Sequence, residues 1–154
     1  MKQTLPFVEI LPENIIPASL PIWCRTIVRK HEEYWGFDDG LSVIENLFGY
    51  RGAVPEHVDT EFVGGTDIIG LILETGGQSL EVKNTPSLPL KPGTFFRLDP
   101  EVPHGTTCQE ADDLLIFLSM PIPEADTRTP PELAAKLVRN IQCFKDSSPS
   151  WEPY

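Results

Sequence analysis

The sequence of 154 residues has no long hydrophobic run, no cluster of basic residues and no pair of neighbouring cysteines. A transmembrane helix needs roughly 20 consecutive apolar residues, and no stretch approaches that length. The N-terminal residues MKQTLPFVEILPEN do not show the basic and then apolar order of a signal peptide. We therefore expect a cytoplasmic protein that does not enter a membrane.

Cysteine and basic residues are both scarce. Cys24, Cys108 and Cys143 are far apart and form no CxxC pair, which indicates free thiols rather than a disulfide framework or a zinc cluster. Twelve Lys and Arg residues stand against 23 Asp and Glu residues, for a formal net charge of -11. Nucleic acids and anionic membranes need clustered basic residues, so neither is predicted as a partner. We expect a small molecule or a peptide as the substrate.

Proline and glycine are, by contrast, abundant. The chain has 16 prolines and 11 glycines, which fall between short apolar runs as the turns of an all-β fold would. No linker or repeat interrupts the chain, and its length suits one domain that spans residues 1–154.

Two segments near the ends of the chain have the spacing of helices. The first is predicted over about residues 21–31, with Ser19 as its N-cap and Pro21 in its first turn. The second is predicted over about residues 131–144, with Thr129 as its N-cap and apolar residues three and four apart.

Between the helices the hydrophobic period changes to two, over a predicted barrel of about residues 41–120. Short extended segments with helices only at the flanks predict a mainly β fold. We expect a double-stranded β-helix, that is a jelly-roll or cupin-like barrel, with its N- and C-terminal helices on one outer face. The predicted strands are LSVIENLFGY, EHVDTEF, DIIGLILET, SLEVKN, SLPL, TFFRLDP, HGTTCQ and DLLIFLSM.

The residues PEHVDTE at 55–61 contain a candidate pair of metal ligands, His57 and Asp59. In a strand, residues two apart project to the same face, as chelation requires. His104 lies at the start of a later predicted strand, which a jelly roll can bring beside the first pair. Two imidazoles and one carboxylate form the facial triad that suits Fe(II) and leaves positions open for other ligands. The alternative is that His57 is an exposed polar residue and that His104 belongs to a turn.

The order of these segments resembles the core of the iron(II)- and 2-oxoglutarate-dependent dioxygenases. The resemblance rests on YRGAVPEHVDTEF, DIIGLILETGGQSLEVKN and LPLKPGTFFRLDPEVPHGTTC, within about residues 50–120. It implies that His57, Asp59 and His104 are catalytic residues that bind Fe(II). It also implies that oxidative decarboxylation of 2-oxoglutarate, the co-substrate, is coupled to hydroxylation of a substrate.

The sequence departs from this family at one position. The family carries an Arg about nine or more residues after the distal His, where it binds the far carboxylate of 2-oxoglutarate in a bidentate pair. This chain has Asp112 and Asp113 there. Another basic residue would then have to bind the far carboxylate. We rank Arg97 first, with Lys83 as the second candidate, and Arg51 and Arg128 are also possible.

Two other functions fit the same segments. LPLKPGTFFRLDPEVPHG is also similar to the second motif of the cupins, which would indicate a small-ligand or metal-binding protein without oxygenase activity. The first cupin motif, with an HxH pair and a Glu, is absent around GGTDIIGLILETGG. A barrel that serves only as an interaction domain is the third alternative.

Overall fold

The computed structural model describes residues 5–36, 41–60 and 64–147. Strands occupy the middle of the chain and a long helix lies towards each end, as predicted. In chain order the elements are β1 (Phe7–Ile10), a short 3-10 helix (Glu13–Ile15), α1 (Leu20–Trp35), β2 (Leu41–Ile44), β3 (Leu47–Arg51), β4 (Thr66–Glu74), β5 (Ser79–Val82), β6 (Leu88–Pro89), β7 (Thr94–Leu98), β8 (His104–Thr107), β9 (Leu114–Pro123) and α2 (Pro130–Ser147).

The strands of the described residues form two antiparallel sheets. The larger has the order β1-β7-β4-β9-β3-β2 and the smaller has the order β6-β5-β8. From β3 onwards the chain passes repeatedly between the two sheets, and a bridge between His57 and His104 joins the segment before β4 to the smaller sheet. This alternation between two facing sheets is that of a jelly roll. The predicted fold class is therefore confirmed.

Alternate side chains of the larger sheet pack into two different buried clusters, one on each face. On β9, Ile116 and Leu118 belong to a buried cluster with both helices, whereas Leu115 belongs to a second cluster with residues of the smaller sheet. Successive side chains of a strand project to opposite faces, so β9 contributes to both. The helices therefore cover the outer face, and the inner face is left for the cavity described below.

Two glycines of the larger sheet allow its neighbours to approach closely. A Cβ atom on Gly49 would lie 2.5 Å from Cγ1 of Val28 in α1, and one on Gly70 would lie 2.1 Å from Cζ of Phe96. Both separations are shorter than van der Waals contact. Glycine on β3 thus lets α1 pack directly against the strand, and glycine on β4 leaves room for the Phe96 ring over the inner face.

The two helices differ in how their N-termini are capped. Thr129 and Glu132 form a capping box at α2, in which the Glu132 carboxylate accepts from the Thr129 N–H and the Thr129 hydroxyl accepts from the Glu132 N–H. Ser19 is the N-cap of α1, as predicted, but its side chain does not cap the helix. Ser19 has helical backbone angles (φ -80°, ψ -17°) and makes no side-chain cap bond, and Pro21, two residues on, has no N–H to donate to its hydroxyl.

The predicted strands are corrected at three places. LSVIENLFGY forms two strands, because Glu45 takes a left-handed conformation (φ 55°) and turns the chain between β2 and β3. The strand β1 was not predicted. Within EHVDTEF, His57 makes an isolated bridge rather than part of a continuous strand, and residues 61–63 lie outside the described residues. Of the helices in the described ranges, none has the length and apolar character needed to cross a bilayer.

Candidate metal site and adjoining cavity

The backbone places His57 and His104 directly opposite each other. The N–H of each residue donates to the carbonyl of the other at 2.9 Å, and the Asp59 N–H donates to the Pro100 carbonyl at 2.8 Å. The segment with the predicted ligand pair therefore lies antiparallel to the chain that enters β8. As a result, residues 47 positions apart share one site.

Both imidazole rings are oriented by the main chain in the same way. Nδ1 of His57 lies 2.7 Å from the Pro55 carbonyl oxygen, and Nδ1 of His104 lies 2.7 Å from the Val102 carbonyl oxygen. A carbonyl oxygen only accepts, so Nδ1 must carry the proton in each ring. In the neutral rings, Nε2 is then an unprotonated nitrogen with a free lone pair.

Asp59 completes the group on the same side. Its two carboxylate oxygens lie 3.4 Å from Nε2 of His57 and 3.1 Å from Nε2 of His104. The intervening Val58 is exposed, as alternation predicts for the opposite face. The three predicted ligands are thus close together, with one donor atom from each within 4.8 Å of the others.

This donor set fits a transition-metal ion. Two ligand atoms about 2.1 Å from one ion and at right angles to each other are about 3.0 Å apart, close to the nitrogen-to-oxygen distances found here. Without a cation, two nitrogen lone pairs would face a carboxylate, which is favourable only if a proton lies among them. Hydrogen bonds from Nδ1 to backbone carbonyls are also typical of metal-binding histidines.

The three side chains lie at the edge of a large cavity between the two sheets. The cavity has a volume of about 780 Å³, within the range of small-molecule sites. His104 is buried, Asp59 is half-buried and His57 is exposed, so the group lies between the cavity and the solvent. A ligand in the cavity could therefore reach the candidate metal site from within the barrel.

Aromatic side chains form part of the cavity wall. The rings of Phe48 and Phe117 are stacked with centroids 5.2 Å apart, and the Phe96 ring is 6.3 Å from that of Phe117. Tyr50 also lines the cavity. Such rings bind apolar and aromatic ligands through buried area and ring contacts.

The charged groups of the wall are all acidic. Among the described residues that line the cavity, Asp59 and Glu45 are charged, and none is Lys or Arg. The residues outside the described ranges, 1–4, 37–40, 61–63 and 148–154, contain one basic residue in the sequence, Lys2. Apart from an ion bound at the candidate metal site, the described part of the wall thus offers no Lys or Arg to a negatively charged group of a ligand.

Arg97, predicted first as the anchor of 2-oxoglutarate, lies elsewhere. Its guanidinium donates to the Asp67 carboxylate at 2.8 Å and to the carbonyl oxygens of Asp126 and Glu124. Arg97 follows Phe96 on β7, so the two side chains project to opposite faces of the sheet, and Phe96 takes the inner one. The prediction that Arg97 faces the candidate metal site is therefore corrected.

The other predicted cations do not line the cavity either. Arg51 is paired with Glu32, at 2.7 and 2.8 Å, and Arg128 is paired with Asp126. Lys83 follows β5 as an exposed residue, and its backbone N–H donates to the Pro103 carbonyl.

Asp113, near the position where the resembling family has Arg, has a structural role. Its carboxylate accepts from the backbone N–H groups of Gln109 and Glu110, and its own N–H donates to the Glu110 carbonyl. It therefore fixes the turn between β8 and β9. This use of the carboxylate explains why an acidic residue is suitable at this position.

Polar residues near the β2–β3 turn also line the cavity, and the sequence analysis did not select them. They are Asn46, Asn140 and Ser119, with Glu45 at the same turn. No motif marks them, because they become neighbours only when the turn, β9 and α2 pack together.

Comparisons with known proteins give distant structural likenesses. No family model matches the chain, and no curated protein matches it. Protein TT1209 from Thermus thermophilus is 24% identical over 56% of this chain and 77% of that one, with a TM-score of 0.39. An RmlC-like cupin protein from Desulfovibrio desulfuricans is 17% identical over 54% and 85%, with a TM-score of 0.38. Salicylate 1,2-dioxygenase from Pseudoaminobacter salicylatoxidans is 11% identical over 71% and 39%, with a TM-score of 0.42. At these values the likenesses assign neither a family nor an activity.

Proposed function

We propose that the protein is a metal-dependent oxygenase of small molecules. In this proposal His57, Asp59 and His104 bind one divalent transition-metal ion, with Fe(II) as the physiological metal. The substrate occupies the adjoining cavity. The observation that carries the proposal is the orientation of both rings, whose Nδ1 atoms are bound to backbone carbonyls while their Nε2 atoms converge on one carboxylate.

The chain itself provides geometry and shielding in this proposal. The backbone bridge fixes the two imidazoles, and the Asp59 carboxylate offsets part of the charge of the ion. The aromatic wall orients an apolar ligand and excludes water from it. A bound Fe(II) would supply open coordination positions and redox chemistry towards dioxygen.

The use of 2-oxoglutarate is a narrower form of the proposal. Its first carboxylate and keto group need only the metal, but its second carboxylate needs a cation. None of the described cavity residues is Lys or Arg, and Arg97 is bound to Asp67. We therefore favour an oxygenase in which the substrate itself lies next to the metal, and we keep 2-oxoglutarate as the co-substrate to be tested against it.

A second candidate function is metal and small-ligand binding without redox chemistry. It is favoured by the same observation, because the second carboxylate of 2-oxoglutarate would find no Lys or Arg among the described residues of the cavity wall. The two candidates share the metal ligands and differ in whether dioxygen reaches an open position on the ion.

The decisive experiment measures metal binding and access to the metal in the same samples. Protein prepared without oxygen is loaded with Fe(II), and its iron content is compared with that of Asp59→Ala. Asp112→Ala is the control, because Asp112 is an exposed carboxylate that does not line the cavity. Nitric oxide then serves as a probe for open coordination positions, read by electron paramagnetic resonance.

One iron per chain, a strong nitric oxide signal and the loss of both in Asp59→Ala support the oxygenase. Bound iron without a nitric oxide signal favours the redox-free candidate, and a chain that binds no metal rejects both. Visible charge-transfer absorption on anaerobic addition of 2-oxoglutarate, followed by succinate formation in air, would establish that the oxygenase uses 2-oxoglutarate.

A further inference from the structure

We infer that the ligand of the cavity is an apolar molecule with a single anionic oxygen group, such as a carboxylate, which binds the metal ion held by His57, Asp59 and His104. This inference rests on the proposed function, since it needs the metal ion. It deepens that function by naming the class of ligand, its charge and the end of the molecule that lies at the metal.

The charge of the metal site determines the charge of the group that binds there. Nδ1 of each ring carries the proton, so His57 and His104 would bind a metal ion as neutral imidazoles. Asp59 is the one anionic member of the group. A divalent ion would therefore keep one positive charge, which one anionic oxygen group of the ligand would neutralise.

The metal ion would also be the main source of positive charge for a ligand in this cavity. Among the described residues that line it, Asp59 and Glu45 are charged and none is Lys or Arg. A second anionic group on the ligand would thus leave water without a basic side chain to pair with, and it would share the cavity with the Glu45 carboxylate. This arrangement favours a ligand with one anionic group over a ligand with two.

The aromatic part of the wall determines the rest of the ligand. Phe48 and Phe117 lie on the inner face of the larger sheet, yet each is only half-buried, and both line the cavity. Their stacked rings therefore keep accessible apolar surface inside the barrel, and the Phe96 ring, 6.3 Å from that of Phe117, extends it. An apolar body that covers these rings would remove this surface from water, which is favourable.

The metal ligands and the aromatic rings belong to one cavity of about 780 Å³. A single small molecule can therefore contact both of them. Because the metal ligands lie between the cavity and the solvent, the anionic group would remain near water while the apolar body extends between the two sheets. The same molecule would satisfy the charge of the metal site and cover the apolar wall.

The test uses four ligands on the full chain loaded with Co²⁺, whose visible absorption changes when a ligand binds the ion directly. 2-Naphthoate has the anionic group and the apolar body, whereas acetate has only the anionic group. 2-Naphthamide keeps the body and the shape but is uncharged, and naphthalene-2,6-dicarboxylate adds a second anionic group at the far end. Calorimetry gives the four dissociation constants, and the series is repeated after metal removal.

We expect 2-naphthoate to bind at least about tenfold more tightly than acetate, because its rings cover the apolar wall. It should also bind at least about tenfold more tightly than the amide, which leaves the metal site charged, and than the dicarboxylate, which buries an unpaired anion. Metal removal should weaken the binding of 2-naphthoate by a similar factor. In the loaded protein, 2-naphthoate should shift the Co²⁺ absorption.

Two variants test where the apolar body lies. Phe117→Ala removes a ring from the cavity wall, and Phe144→Ala makes the same change on α2, at a side chain that packs against the cluster under the helices and is not among the described residues of the wall. Phe117→Ala should weaken 2-naphthoate roughly threefold or more and leave acetate binding unchanged. Phe144→Ala should leave the binding of both ligands unchanged.

The inference is overturned if acetate, 2-naphthamide or the dicarboxylate binds as tightly as 2-naphthoate, a comparison that needs no variant to fold. It is also overturned if 2-naphthoate does not bind, binds without a shift of the Co²⁺ absorption, or keeps its affinity after metal removal or in Phe117→Ala.

Metal content, measured on the same samples, separates this inference from the proposed function. A chain that takes up Co²⁺ but fails the ligand series rejects the ligand class alone, and a chain that takes up no Co²⁺ rejects the proposed metal site as well. A positive ligand series, beside an iron-loaded protein that gives no nitric oxide signal, supports the ligand class and rejects the oxygenase.

Discussion

His57 and His104 exchange two backbone hydrogen bonds of 2.9 Å, and their ring centroids are 4.5 Å apart. The candidate metal site therefore depends on the pairing of the segment before β4 with the chain that enters and begins β8. Any change that separates these two stretches of backbone should also separate the donor atoms.

Gly105 provides the sharpest test of this dependence. A Cβ atom at position 105 would lie 2.5 Å from the Val54 carbonyl oxygen and 3.1 Å from the Glu56 nitrogen, so Gly105→Ala must push the segment before His57 away. We expect at least a tenfold loss of metal affinity and a free energy of unfolding lower by about 1–3 kcal/mol. Metal titration and urea denaturation measure the two effects.

Gly64→Ala is the control for that substitution, because a Cβ atom at Gly64 would meet nothing within 4 Å. It should leave metal affinity unchanged. Normal metal affinity in Gly105→Ala would show that the segment can move without carrying His57 with it.

Substitution of Arg97 should affect stability rather than the cavity. The side chains of Arg97 and Asp67 are only 11% and 4% exposed, so Arg97→Met leaves a buried carboxylate without its partner. The expected loss is about 3–5 kcal/mol in the free energy of unfolding. Metal stoichiometry of the folded fraction should remain that of the wild type.

The double variant Arg97→Met/Asp67→Asn should recover much of this stability, because the isolated charge is gone. Denaturant unfolding of the two variants gives the comparison. A stable Arg97→Met protein with weakened binding of 2-oxoglutarate would instead return Arg97 to the role first predicted for it.

The Glu32–Arg51 pair predicts a dependence of stability on pH. The hydrogen bond from Arg51 lowers the pKa of Glu32 below its ordinary value of 4.5. A carboxyl group with a lowered folded-state pKa stabilises the fold above its unfolded pKa, and this contribution is lost as pH falls through the folded pKa. Both side chains are partly exposed, so the contribution at neutral pH should not exceed about 1 kcal/mol.

Urea unfolding of Glu32→Gln and the wild type should therefore differ at about pH 7, and the difference should shrink as pH falls through the lowered folded-state pKa of Glu32. Glu33→Gln, an exposed neighbour on α1, is the control. A Glu32→Gln deficit in the free energy of unfolding that stays equally large as pH falls would contradict the assignment.

The three thiols should differ in reactivity. Burial raises the pKa of the Cys24 thiol to about 12, so almost no thiolate is present there at about pH 8. Cys143 is exposed and Cys108 is intermediate. We expect iodoacetamide to modify Cys143 first and to leave Cys24 unmodified until denaturant is added.

Mass spectrometry of digested protein identifies the labelled residues, and Cys143→Ser should remove the fastest phase. Because Cys143 lines the cavity, a small molecule bound there should also slow its modification. Rapid labelling of Cys24 in the native protein would show that the cluster around α1 opens easily.

The parts of the fold that were predicted correctly have strong local signals. The capping box of Thr129 and Glu132 and the spacing of buried residues in α2 are visible in the sequence alone, and β4 and β9 are visible as apolar runs between turn residues. The short strand β1 has no such signal, because four residues cannot establish a period. The turn at Glu45 was missed because a left-handed residue is usually glycine or asparagine.

The candidate site was predictable to a different extent. The sequence order predicted that His57, Asp59 and His104 would meet, and they do lie together, while their binding of a metal stays a prediction. The face of the sheet to which Arg97 projects was not predictable. Phe95 and Phe96 are both apolar, so alternation alone does not tell which of the two lies on the inner face, and so whether Arg97 does. Asn46 could not be selected, since it joins the cavity wall only when the β2–β3 turn packs against β9 and α2.

Main-chain control of the two imidazoles has a consequence for how this barrel can diversify. The carbonyls of Pro55 and Val102 orient the rings, and no side-chain substitution deletes a carbonyl. The residues that face the ligand belong largely to the other sheet and can be exchanged separately. Substitutions in the cavity wall can thus change ligand selectivity while the coordinating atoms keep their arrangement. The barrel is therefore a suitable scaffold for engineering new ligand preferences.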